Sequence, residues 1–125
     1  MTVAVDRKIV YNNVNKTFDM EEINMSKLVN DVYLSGVIHF LKGESYGESR
    51  LGKYFEFSLK RQYADTDGCD RVDYLRMRVF DPAIQEWIAK QEEGAPVWIA
   101  GELRSSLGSG RIYVMVSKIQ ALNQL

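Results

Sequence analysis

The rhythm of hydrophobic and polar positions changes near residue 31. Before it, Val3, Val5, Ile9, Val10, Tyr11, Phe18, Met20 and Ile23 are scattered among five asparagines and keep neither a helical nor a strand period. After it the pattern is strand-like. Val32 to Leu41 is β-branched and aromatic, with Gly36 marking a bulge or sharp bend in its middle. From Tyr54 the chain alternates, placing Phe55, Phe57 and Leu59 on one face and Tyr54, Glu56, Ser58 and Lys60 on the other. Val72 to Phe80 repeats this, with Leu75, Met77 and Val79 opposite Tyr74, Arg76, Arg78 and Phe80. Asp81-Pro82 reads as an N-cap followed by proline at the first helical position; Ile84, Trp87 and Ile88 follow at helical spacing and Gly94 is the stop. This predicts one short helix of about three turns. Pro96 to Arg104 predicts a fourth strand with Val97, Ile99 and Leu103 inward, and Arg111 to Leu122 a fifth with Ile112, Val114 and Val116 inward. The glycine- and serine-rich stretch 43–52 reads as a loop, and Leu107 to Gly110 as a turn.

Three strands, one helix and two strands, in that order, match the five-stranded OB-fold barrel, an all-β architecture with one short helix. Another small antiparallel barrel of the SH3-like kind is the alternative. Residues 31–125 are assigned to the barrel and residues 1–30 to an N-terminal arm. Within the arm a brief strand is expected at Val3–Val5 or Ile9–Tyr11, and a helical turn after Asp19, capped with the help of Glu22. The arm is either a flexible tail or, given its apolar content, a segment that packs on a neighbouring subunit.

Composition narrows the chemistry. The chain has 125 residues, enough to bury a core without a disulfide or metal staple, and its 16 Lys and Arg nearly cancel its 17 Asp and Glu. A polybasic protein is excluded, so any grip on nucleic acid comes from a local arrangement of cations. With a single Cys and a single His, a Cys/His zinc site is excluded. Cys69 lies among Asp65, Asp67 and Asp70, neighbours that oppose thiolate formation, and reads as a loop residue of a reducing compartment. The same aspartates lack the glycine and distal glutamate of a calcium loop. No phosphate-binding glycine loop or nucleophile triad is evident, and neither an enzyme nor a cofactor is expected. The N-terminus lacks the apolar core of a signal peptide and no apolar run reaches membrane-spanning length, so the expectation is a cytoplasmic protein.

The most informative positions are on the outward faces of the second and third strands. Tyr74, Arg76, Arg78 and Phe80 place rings and cations together, and Tyr54 and Lys60 extend that surface if the two strands pair. Every base presents a π-face, so rings beside phosphate-tracking cations hold a single strand of any sequence. A solvated charged face is the plainer reading, but it leaves Tyr74 and Phe80 outward without a reason. Arg50 and Lys53, and Arg104 and Arg111, fall in the two loops with which OB-folds commonly enclose a ligand. Trp87 shares a helix face with Ile84 and Ile88 and reads as a core residue; Trp98 is an interface or ligand residue, and Tyr113 is similarly open.

Several stretches resemble the bacterial and phage single-stranded DNA-binding proteins over about Asp31 to Leu122. Val32-Tyr33-Leu34-Ser35-Gly36 is similar to that family's opening strand and Phe55-Glu56-Phe57-Ser58-Leu59 to its second. Asp73 to Phe80 resembles its segment before the helix, and Gly94 to Arg104 its Gly-x-x-Val-aromatic-Ile-x-Gly-x-Leu-Arg. The resemblance implies sequence-tolerant binding of single-stranded DNA, with Tyr74 and Phe80 at stacking positions and Tyr63 near a further one. It also implies a homo-oligomer. The hairpin from Leu103 to Arg111 departs from the family in lacking an aromatic after Leu-Arg. The chain ends at Leu125 without a glycine-rich linker and acidic tip, as expected of a divergent phage- or plasmid-type member or of a shortened chain. Two alternatives remain: an OB-fold module of the primosome type that docks on protein, and an RNA-binding protein.

Overall fold

The computed structural model describes residues 10–11, 17–18, 28–43 and 45–122, the first two pairs by their backbone alone. A two-stranded antiparallel pair is formed by β1 (Val10–Tyr11) and β2 (Thr17–Phe18). There follow β3 (Val32–His39), β4 (Tyr46–Ser49), β5 (Gly52–Ala64), β6 (Asp70–Val79), the helix α1 (Pro82–Ala89), β7 (Pro96–Ser105) and β8 (Ile112–Ala121). The strand at Val10–Tyr11 agrees with one of the two expected in the arm; Val3–Val5 and the turn after Asp19 lie outside the described residues.

The alternating faces pair as their periodicity requires. Residues 55 to 64 of β5 pair antiparallel with residues 70 to 79 of β6, and β7 pairs with β8 in the same sense. β3 joins the two hairpins, pairing with β7 along residues 32–37 and with β5 along residues 37–39. A parallel pairing of β6 with β8, Met77 opposite Val114 and Arg78 opposite Met115, completes a sheet that closes into a ring. This is the five-stranded OB-fold, with α1 between its third and fourth strands. Inside lie Ile38, Phe57, Leu59, Met77, Val79, Val97 and Ile99, all fully buried, and Ile88 of α1 plugs one end with Ile84 and Trp87 packed beside it.

The sequence reading is corrected in three places. First, the segment 43–52 is not all loop, because β4 pairs with the start of β5 and carries that hairpin beyond the ring. Second, Leu103 and Ile112 are 48% and 60% exposed rather than inward. A register shift at Ala100/Gly101 interrupts the alternation before Leu103, and Ile112 stands opposite Ser105 at the end of the β7–β8 hairpin. Gly101 is required at the shift, where a Cβ would fall on the carbonyl oxygen of Met115. Third, α1 is two turns rather than three. Asp81 caps Ala83 N–H as expected, but the chain leaves the helix at Lys90 so that the backbone of Gly94 and Ala95 can pair with Ile38. Gly36 marks a close approach, its Cα facing Lys60 O where a Cβ would be at 2.7 Å.

Candidate nucleic-acid interface

Because β5 and β6 pair with Glu56 opposite Arg78, Ser58 opposite Arg76 and Lys60 opposite Tyr74, their outward positions form one continuous face. Its two ends differ.

At one end the β4–β5 and β7–β8 hairpins project past the ring and enclose a cleft of about 590 Å³. Arg50 and Leu51 line it from the first hairpin, Arg104 and Leu107 from the second, and Tyr54, Arg78 and Tyr113 form its floor. The Arg78 guanidinium carbon is 4.4 Å from the centroid of the Tyr54 ring and 4.4 Å from that of Tyr113, a cation held between two aromatic faces. Phe80 lies against Tyr54 with centroids 5.5 Å apart. Gly47 faces Tyr54 across the β4–β5 hairpin, and the ring lies over it. Leu107 at the hairpin tip is 74% exposed. Arg104 donates to Glu102 at 2.9 Å while lining the cleft. Lys53 and Arg111, assigned to the same loops, lie apart from it: Lys53 lines a shallow depression with Tyr46 and Glu48, and Arg111 is exposed at the base of the second hairpin's turn.

In the middle of the face, Glu56 Oε2 is 3.1 Å from Arg76 Nε and 3.6 Å from Arg78 Nε. Both expected phosphate-tracking arginines are therefore ion-paired. At the far end Tyr74 is 56% exposed, with the His39 ring 5.2 Å away and Lys60 across the strand pair. His39 Nδ1 lies 2.8 Å from Glu93 Oε2, and Glu93 Oε1 accepts from Phe40 N–H at 2.8 Å. The Phe40 N–H, then His39, hold the Glu93 carboxyl below its ordinary value. Tyr63 lies beyond, paired with Arg71, whose guanidinium is bound to Asp65 and Asp67. The structure thus joins Tyr54, Arg78, Phe80, Arg50 and Arg104 at one end and Tyr74 with Lys60 at the other. The sequence reading did not single out Glu56 or settle Tyr113. Glu56 was recognisable from the alternation that places it beside Tyr54, whereas the burial of Tyr113 depends on which strand β8 pairs with.

Trp98 stacks on Tyr33 at 6.0 Å on the outside of the ring, away from this face. No group of His, Cys, Asp and Glu among the described residues has the arrangement of a metal site, and no described helix is long and apolar enough to cross a membrane.

Fold and face together define an OB-fold protein with an aromatic and cationic outer surface. No family model matches the sequence, and no curated protein does. Solved structures share the fold. A small single-stranded DNA binding protein from Mycoplasma pneumoniae matches at 21% identity and TM-score 0.55, over 76% of this chain and 96% of that one. The dimeric N-terminal domain of PriB from Thermoanaerobacter tencongensis matches at 23% and 0.53, over 74% and 96%. A Plasmodium falciparum SSB in complex with ssDNA matches at 20% and 0.55, over 77% and 96%.

Proposed function

We propose that the protein binds single-stranded DNA with little regard to sequence and coats strands exposed in replication, recombination or conjugative transfer. The observation that carries this is the β5–β6 outer face. It leaves the Tyr74 ring open to solvent at one end, and at the other sets Tyr54 and Phe80 beside a cleft flanked by Arg50 and Arg104. Exposed rings at separated points, with cations alongside, suit a flexible strand whose bases are splayed out. Solved structures with this fold described as single-stranded DNA binding proteins support the reading.

Coating implies contacts between copies of the protein, and we assign them to the arm, residues 1–30, for its apolar content. Removing residues 1–28 then lowers cooperativity on long strands; unchanged isotherms and oligomer mass reject that assignment. Fluorescence anisotropy of labelled oligo-dT, oligo-dA, an RNA oligomer and a duplex, at two salt concentrations, tests the main reading. Tight, salt-sensitive binding to the single DNA strands with little response to the duplex supports it. A clear preference for the RNA overturns the DNA assignment. The pairing of Glu56 with Arg76 and Arg78 favours one second reading, a protein-docking module, and flat titrations with every oligomer select it.

A further inference from the structure

Arg78 looks like a phosphate contact by sequence, but its surroundings assign it another task. Its side chain is only 12% exposed. Its guanidinium carbon lies 4.4 Å over the Tyr54 ring of β5 and 4.4 Å over the Tyr113 ring of β8, the two strands that flank β6, and the Glu56 carboxylate is 3.6 Å from its Nε. Arg78 Nε and Glu56 Oε2 are themselves buried and make no hydrogen bond within the described residues, so this pair, which Glu56 shares with Arg76, is held by charge and packing. With so little of its side chain exposed, Arg78 offers a phosphate a poor approach.

We propose that Arg78 is a positioning residue. Its planar cation is the spacer that fixes the Tyr54 and Tyr113 rings as one rigid wall of the cleft, and Glu56 locks it in place. The two rings belong to different hairpins, joined at this point by only two register pairs of β6 with β8. A stack of ring, guanidinium and ring ties them across that seam. Lysine carries the same charge but is a compact, strongly hydrated ammonium without two flat faces, and it does not replace such a spacer. The proposal rests on the reading of this face as a single-strand binding surface, and it separates shape from charge. Rings already fixed lose less freedom when a base stacks on them.

The test compares the intact protein with Arg78→Lys and Glu56→Gln, using labelled oligo-dT over a range of salt. A positioning role predicts that Arg78→Lys weakens binding about thirtyfold, the scale of a desolvated cation–π contact, at every salt concentration. Glu56→Gln weakens it as well, with the same salt slope. Arg78→Lys binding like the parent overturns the proposal. So does a Glu56→Gln protein that binds more tightly with a slope steeper by about 0.7, the mark of an unmasked phosphate contact. A second readout needs no DNA: the nitrogen-15 NMR signal of the Arg78 Nε–H in the unmodified protein. An upfield, slowly exchanging signal that loses its protection in Glu56→Gln supports the clamp; an ordinary, fast-exchanging signal overturns it, even if Arg78→Lys does not fold. Failure of the parent to bind oligo-dT counts against the single-strand reading, while the NMR signal still decides the clamp.

Discussion

Gly47→Ala separates the position of an aromatic ring from its presence. Gly47 sits opposite Tyr54 in the β4–β5 hairpin, and a Cβ there falls 2.5 Å from Tyr54 Cζ and Oη and 2.8 Å from Cε1. Ordinary carbon contacts begin near 3.5 Å, so the ring must move by about 1 Å. The backbone at Gly47 does not need a left-handed conformation, and alanine loses less chain entropy than glycine on folding, by roughly 0.5 to 1 kcal/mol. The atoms displaced are the far end of a rotatable side chain. The two terms nearly cancel, and the melting temperature is expected to stay within a few degrees of the parent. Binding behaves differently. The displaced ring leaves the Arg78 cation and presents a tilted face, losing part of a stack worth about 1 to 3 kcal/mol. A loss of about half of that corresponds to roughly three- to tenfold in affinity for oligo-dT. Anisotropy titrations and thermal melts on the same preparations read both quantities. Parent-like affinity in a protein that melts like the parent refutes the reasoning, because the ring is then either free to move without consequence or not part of the site.

Three further outcomes are expected. Tyr74→Phe keeps oligo-dT affinity, whereas Tyr74→Ala lowers it by about 1 to 3 kcal/mol; equal affinities for the two variants contradict a stacking role for the half-exposed ring. Gly101→Ala drives a Cβ into the Met115 carbonyl, a backbone atom that cannot rotate aside, and destabilises by about 1 to 3 kcal/mol in chemical denaturation; a parent-like midpoint contradicts the close approach. Glu93 is held below its ordinary value of 4.5 by the Phe40 N–H and His39. Its unfolded form therefore takes up a proton first, so its contribution to stability is complete above 4.5 and is lost as pH falls through the native value. Denaturation curves of the parent and Glu93→Gln converge on acidification, and a gap that does not narrow refutes the pairing.

Fold and site were legible to different depths in the sequence. Strict alternation at Phe55, Phe57 and Leu59 and at Leu75, Met77 and Val79 identified both the core and the outward face, because a strand with one side buried admits a single reading. Asp81-Pro82 placed the helix start, where the cap chemistry is local. The helix end was misjudged because a distant residue, Ile38, sets it by claiming the backbone of Gly94 and Ala95. Leu103 and Ile112 were misjudged because alternation is silent about where a hairpin outgrows the core and about the shift at Gly101. The cleft residues Arg50, Tyr54, Arg78 and Arg104 were all named, but the pairing that sets their roles was not. Glu56, an outward position in the alternation with no role read for it, decides what two arginines can do.

The ring itself is unevenly sewn. β5 and β6 share ten register pairs, while β3 meets β5 through three and β6 meets β8 through two. Antiparallel hairpins with nearby partners form early, and contacts between distant strands form late. The molecule is thus two hairpins, β5–β6 and β7–β8, fastened by short seams, and among its ladder amides those at the seams are expected to exchange faster than those within the hairpins. The cleft straddles one of them, taking Tyr54 and Arg78 from the first hairpin and Arg104 and Tyr113 from the second. A ligand lying across it acts as a staple that holds the ring shut at that seam.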